Sequence, residues 1–198
     1  MFKLINTFPP DVANVATDFV VEFNQTVPVK KHQGQQYIAA VPRLHNAHII
    51  QVDAGCFPEG FTTYGCVFKA DPDDIFFSAC KKEELSTDPV MVETLAIRWC
   101  LRLSKERGLQ DIIIQSDALA VVECFRGSNS LACIALIILD CKALMDEFNS
   151  VSIVYISRDL NALAHRLVGY AMQYSCKSWN GYAFPVIATS TDCNSSFI

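Results

Sequence analysis

The sequence predicts an α/β fold: a mixed five-stranded sheet, an antiparallel meander continued by parallel strands, flanked by helices. Three observations point there. Short strand-like segments at 48–54, 62–69 and 75–81 are separated only by Phe57-Pro58-Glu59-Gly60 and Ala70-Asp71-Pro72-Asp73-Asp74, compositions that turn a chain. From Asp88 onward the apolar spacing becomes helical. Strand segments then recur at 111–116 and 151–157 with helices between them, as crossover connections to parallel strands require.

The elements follow in order. Residues 1–47, with Pro9-Pro10, a short helix expected from Asp11 to Asn24 and the polar run Lys30 to Gln36, form a leader, partly helical or disordered. The domain proper is placed at 48–176, after which 177–198 is expected to be an irregular tail. Asp88 is suited to cap a helix whose first position is Pro89, and Val92, Leu95, Ala96, Trp99, Cys100 and Leu103 make its apolar stripe as far as Gly108. A helix through Leu119, Val121, Val122 and Phe125 stops at Gly127, and a further one covers about 131–148. Leu160, Leu163, Ala164, Leu167, Val168 and Ala171 mark the last helix, with Asp159 expected to cap it. No internal repeat is present.

A chain of 198 residues and 22.0 kDa, 51% hydrophobic, supports one buried core with tails. The apolar run Ile134 to Leu139 is far below the roughly 20 residues of a membrane helix. The N-terminus lacks the basic flank, apolar stretch and cleavage site of a signal peptide, so an intracellular protein of nucleus or cytoplasm is expected, without a membrane partner. Nine cysteines with no Cys-x-x-Cys pair fit reduced core residues. A net charge of −5 means that any polyanion ligand needs a local positive patch.

Three acids stand where elements begin or end. Asp53 closes Ile49-Ile50-Gln51-Val52, Asp117 closes Ile112-Ile113-Ile114-Gln115-Ser116, and Glu93 lies beside the helical stripe in Val92-Glu93-Thr94-Leu95. Ligands of such sheets collect at strand carboxyl ends near the topological switch, and gathered carboxylates suit hard divalent cations. Singly, each acid also has an ordinary explanation: a turn former at Asp53, a helix cap at Asp117, a solvated residue at Glu93.

Four segments carry a resemblance. Val52-Asp53-Ala54-Gly55, Val92-Glu93-Thr94-Leu95-Ala96-Ile97-Arg98-Trp99-Cys100-Leu101, Ile114-Gln115-Ser116-Asp117-Ala118-Leu119 and Arg158-Asp159-Leu160-Asn161-Ala162-Leu163-Ala164-His165-Arg166-Leu167 occur in this order over about residues 48–175. Together they resemble the reverse-transcriptase-like ribonuclease H domains abundant in plants. The resemblance implies a ribonuclease H-like fold and descent from a retroelement polyprotein. It implies that Asp53, Glu93 and Asp117 bind two Mg²⁺ ions about 4 Å apart, Asp53 bridging them, and that the RNA strand of an RNA–DNA hybrid is cut to leave a 5′-phosphate.

At the fourth motif the family's usual Asp, in the slot after Asn-x-x-Ala, is His165. Imidazole suits Mn²⁺ better than Mg²⁺. His165 is open to three readings: a donor to a metal-bound water, a proton shuttle, or a histidine at a helix edge with no metal role. Asn161, one turn earlier, is a candidate partner for a metal-bound water or the substrate backbone. No histidine lies between Ile156 and Leu160, where many active members carry a mobile one.

Arg98, Arg102 and Lys105 recur at helical spacing and Lys81-Lys82 ends the third strand, so Arg98 is a candidate phosphate contact, with a solvated helix face as the alternative. Only Ser128-Asn129-Ser130 separates Gly127 from Leu131, leaving no room for the basic protrusion of some relatives. The expected function is a metal-dependent endoribonuclease. The alternative is a retroelement-derived binding or interaction module with little activity. A 3′–5′ exonuclease of the same fold ranks below both, because its first strand carries Asp-x-Glu where this chain has Asp53-Ala54-Gly55. Gly-x-Ser-x-Gly, phosphate-loop and dinucleotide signatures are missing. His45 and His48 have no cysteine partners at zinc spacing.

Overall fold

A computed structural model describes residues 47–181, so the expected leader with its 11–24 helix and the last part of the tail lie outside the described residues. β1 (His48–Phe57), β2 (Phe61–Asp71) and β3 (Asp74–Glu83) form the antiparallel meander. α1 (Pro89–Glu106) crosses to β4 (Asp111–Ser116), which lies parallel to β1. α2 (Leu119–Arg126), a 3₁₀ turn (Ala132–Ile134) and α3 (Ala135–Met145) lead to β5 (Ser150–Tyr155), parallel to β4. A second 3₁₀ turn (Arg158–Asn161), α4 (Ala162–Tyr174) and β6 (Cys176–Asn180) complete the described chain. The sheet order is β5-β4-β1-β2-β3-β6. The meander extended by parallel strands is the architecture the sequence predicts.

Local chemistry sets the boundaries. The Asp88 side chain accepts a hydrogen bond from the Met91 N–H at 3.0 Å and Pro89 opens α1, so both expectations at this terminus hold. α2 ends at Gly127, whose φ of 72° is left-handed and cheap only for glycine. The buried face of α1 is Val92, Ala96, Ile97, Cys100, Leu101 and Ser104, rotated from the expected stripe so that Leu95, Trp99 and Leu103 are only partly covered. The cause is that α1 packs on two surfaces at once, the sheet below and α3 beside it.

Three other expectations change. The helix expected over 131–148 starts as a 3₁₀ turn and runs as α-helix only over Ala135–Met145. Asp159 does not cap the last helix: it sits inside the 3₁₀ turn, and Asn161 occupies the cap position without a capping side-chain bond. The sheet has six strands rather than five, because β6 pairs antiparallel with β3 from Lys81↔Cys176 to Phe77↔Asn180. Its residues are mostly exposed, so no alternating apolar pattern marks it. Trp179 anchors it against Val67, Cys80 and Leu167.

Ile50 and Val52 face α1, within the core shared by Ala96, Ile97, Ile112, Ile114 and Val122. Val67 and Cys80 face α4, against Leu167 and Ala171. Every cysteine among the described residues is a free thiol, most of them buried, as expected of reduced core residues.

Gly65 fixes how close α4 comes. A Cβ added there would lie 2.4 Å from the Ala164 carbonyl oxygen and 2.8 Å from the Val168 nitrogen, both backbone atoms that cannot step aside. Replacing Gly65 by Ala is expected to destabilise the fold by about 1–3 kcal/mol through overpacking, measured as the shift in urea midpoint.

Candidate functional site

The site forms where the parallel pairing of β1 with β4 stops; β4 ends at Ser116 while β1 runs on to Phe57, so Asp53, expected to close its strand, lies within it because β2 keeps β1 paired. Gln51 pairs with Gln115 in register, so Asp53 in β1 and Asp117 just past β4, each two residues further along the chain, emerge together at one sheet edge. The Gln51 side chain reinforces this. Its amide donates to Gln115 Oε1 at 3.2 Å and to the Leu160 carbonyl at 2.9 Å, tying both strands to the 3₁₀ turn.

That turn delivers Asn161, which is fully buried. Its Nδ2 donates to the Val52 carbonyl at 2.8 Å and to Asp117 Oδ1 at 2.9 Å. The sequence makes Asn161 a candidate partner for a metal-bound water or the substrate backbone. Its place in the structure is behind Asp117, which it orients, and its own Oδ1 is buried without a partner. Asp117 does not cap α2: the cap residue is Ala118, whose N–H is held by Ser116 Oγ at 3.1 Å.

Asp53 is 4% exposed and faces α4, where His165 Nδ1 lies 2.7 Å from its Oδ2. Arg158 Nη2 stands 3.3 Å from Nε2 and 3.5 Å from Nδ1 of the His165 ring. A guanidinium can only donate, so the Nε2 contact works for the tautomer whose proton is on Nδ1, the one that points an N–H at Asp53. In that tautomer a chain of donors runs from Arg158 through His165 to Asp53.

Glu93 approaches from α1. Burial pushes its carboxyl well above the ordinary range, and the charges of Asp53 and Asp117 push it further, against the Ala54 N–H and the Arg158 charge. Its Oε2 is buried with no hydrogen-bond partner. Burial also raises Asp53, with Asp117 adding to the rise and the His165 hydrogen bond opposing it. All three carboxylates therefore sense one another.

Among the described residues no three His, Cys, Asp or Glu side chains close a finished metal cage. The donor set still suits a hard cation: carboxylate oxygens on three elements, one of them unpartnered and short of positive charge. Asp53, Glu93 and Asp117 would hold such an ion. His165, already committed to Asp53, fits a hydrogen-bonding role better than a place among oxygen ligands.

The expected phosphate contacts sit elsewhere. Arg98, five residues along α1 from Glu93, pairs with Asp140 of α3 at 3.1 Å, and Arg102 reaches the same carboxylate at 3.6 Å. Lys105 bonds Glu147, Lys81 bonds Glu83, and Lys82 lies 3.7 Å over the Phe61 ring. His48, expected at the surface, is half-buried with its ring edge-on to Phe76. Arg158 carries electrostatic weight that the sequence reading did not assign it, although it opens the fourth motif.

The family model described as reverse transcriptase-like matches residues 51–171. The chain belongs to the reverse-transcriptase-like family. Its match spans every residue of the site, from Gln51 to His165. No curated protein matches the chain by sequence. Among solved structures, this reverse-transcriptase-like domain is similar to RNase H1 from the halophilic archaeon Halobacterium salinarum, with 18% identity and a TM-score of 0.61 over 65% of this chain and 98% of that one. It is similar to the N-terminal RNase H domain of a Mycobacterium tuberculosis protein, with 20% identity and a TM-score of 0.57 over 65% and 95% of the two chains. A third is LC11-RNase H1, solved with an RNA/DNA hybrid, with 19% identity and a TM-score of 0.58 over 65% and 98%. These likenesses establish a ribonuclease H-like fold.

The raised carboxyls have a signed consequence in chelator. A raised folded-state pKa contributes stability that is fully present below the unfolded values near 4 and is lost as pH rises through the folded-state values. The melting temperature of the metal-free domain should fall from mildly acidic to neutral pH. Glu93→Gln should flatten that fall and melt higher than wild type at pH 7, as followed by circular dichroism.

Proposed function

We propose that this domain is a divalent-metal-dependent endoribonuclease acting on the RNA strand of RNA–DNA hybrids. The observation that carries the reading is the meeting of Asp53, Glu93 and Asp117 at one sheet edge with too little protein cation to balance them. A bound pair of Mg²⁺ or Mn²⁺ ions would supply Lewis acidity and a nucleophile at neutral pH. The chain's residues supply the rest. Asn161 holds Asp117 against β1, and Gln51 holds the turn that carries Asn161. His165 holds the Asp53 carboxylate, and beside its ring stands Arg158, an exposed cation whose charge also acts on Glu93. Arg158 is placed to meet the phosphate of a bound strand, which an arginine grips through paired N–H donors.

The motif run supports a retroelement-derived protein of the plant branch; that it works inside the cell, in nucleus or cytoplasm, is our proposal from the N-terminal sequence. A second reading, a binding or interaction module with little turnover, is favoured by one observation: Asp53 already has a hydrogen-bond partner in His165.

Cleavage of a labelled RNA–DNA hybrid in Mg²⁺ and separately in Mn²⁺ decides between the two. The nuclease reading expects activity that Asp53→Asn lowers by about 100-fold or more. No cleavage with either ion, while hybrid is still bound, selects the binding module. Under the nuclease reading Arg158→Gln should lower kcat/KM by about tenfold through a lost charge-assisted hydrogen bond. Mg²⁺ or Mn²⁺ alone should raise the wild-type melting temperature and raise that of Asp53→Asn less.

A further inference from the structure

Away from the acids, Tyr64, Lys81, Glu83, Leu95, Arg98, Trp99 and Arg102 line a cavity of about 80 Å³ between α1 and the β2–β3 ribbon. Three of these side chains are cations. The carboxylates that touch them are two, Glu83 on Lys81 and Asp140 on both arginines. The cluster therefore keeps a positive excess within a chain whose net charge is −5.

The carboxylates also fix the cations in place. One oxygen, Asp140 Oδ2, accepts a hydrogen bond from Arg98 at 3.1 Å and pairs by charge with Arg102 at 3.6 Å. Each guanidinium has five N–H donors, so most remain unused. On the other wall the Tyr64 hydroxyl donates to Glu83 at 2.9 Å, and the Trp99 ring stands 5.9 Å from that of Tyr64. A pocket with unused N–H donors and an aromatic side suits an oxyanion.

Its position relates it to the acids. Arg98 and Arg102 lie about 7.5 and 13.5 Å further along the α1 axis than Glu93. Lys81 pairs with Tyr64, which pairs with Ala54 beside Asp53, so Lys81 is two strands or about 10 Å away from the edge. At about 3.4 Å of axial rise per nucleotide, that is some three nucleotides along one strand.

We propose that Lys81, Arg98 and Arg102 hold a backbone phosphate of the nucleic-acid strand whose neighbouring segment lies at the acids. The inference rests on the nucleic-acid reading above. It assigns the pocket to register and affinity, since a phosphate contact positions a strand without reading its bases.

The test is fluorescence anisotropy of a labelled RNA–DNA hybrid with the whole chain in chelator, across a salt series. Arg102→Gln and Lys81→Gln should each weaken binding and lower the slope of log affinity against log salt by about 1. Lys105→Gln, whose ion pair with Glu147 lies outside the pocket, should leave the slope unchanged. Asp140→Asn frees both arginines and should strengthen binding. If Asp140→Asn weakens binding as the cation variants do, the cluster is only a brace between helices and the proposal falls. Inorganic phosphate provides the other arm. If it raises the wild-type melting temperature above a chloride control while hybrid slopes stay the same in every variant, the pocket takes a free phosphate and not a strand. A wild-type chain that binds no hybrid at any salt overturns the nucleic-acid reading as well; binding with slopes indifferent to Arg102 and Lys81 overturns this inference alone.

Discussion

The site depends on how closely α4 lies on the sheet, and a missing side chain at Gly65 sets that distance. Gly65 pairs with Asp53 across β1 and β2, so the helix comes down at the point where the first acid emerges. His165 follows Ala164, the residue whose carbonyl would clash with a Cβ at Gly65. Closeness there gives His165 a 2.7 Å contact with Asp53. Because packed interiors do not deform smoothly, a helix displaced by one methyl group would lose this contact rather than stretch it.

The acids place an opposing demand on the fold. Burial and mutual repulsion raise Asp53 and Glu93, which makes the metal-free edge a source of instability. Such strain is ordinary at functional sites, where stability is given up for chemistry. The surroundings limit the damage with neutral donors instead of lysines, the Asn161 amide and the Ala54 N–H, and with the His165 ring beside Asp53. Neutral donors hold carboxylates in position while leaving their charge for a cation. Arg158 acts on Glu93, but the cations of α1 are used elsewhere, in the pairs with Asp140 of α3 and with Glu147 of the turn that follows it.

That division explains why one helix serves two purposes. α1 carries Glu93 in its second turn, at the acid edge, and Arg98 and Arg102 further along, where they meet α3 and the cavity beside Trp99. Glu93 and Arg98 are five residues apart, about 140° around the helix, so the two sites share an element without neutralising each other.

Much of the fold was legible in the residues because it rests on local rules. Asp88-Pro89 starts a helix wherever it stands, Gly127 ends one, and Pro- and Asp-rich turns between apolar runs make a meander. The acids could be named from motif order, and their common edge follows from parallel pairing of β1 with β4. Other features had no local signal. β6 is a strand only because β3 offers an unpaired edge and Trp179 finds a pocket. Asn161 turned from a substrate candidate into a buried brace because its 3₁₀ turn is drawn under the sheet by Gln51. Arg98 likewise acquired a partner, Asp140, 42 positions away in the chain. The sequence by itself determined where elements start, stop and alternate, since capping, turn geometry and periodicity act over a few residues. Only the tertiary structure decided which polar groups satisfy one another, because that follows from which buried donors and acceptors lack water and come within about 3 Å after packing.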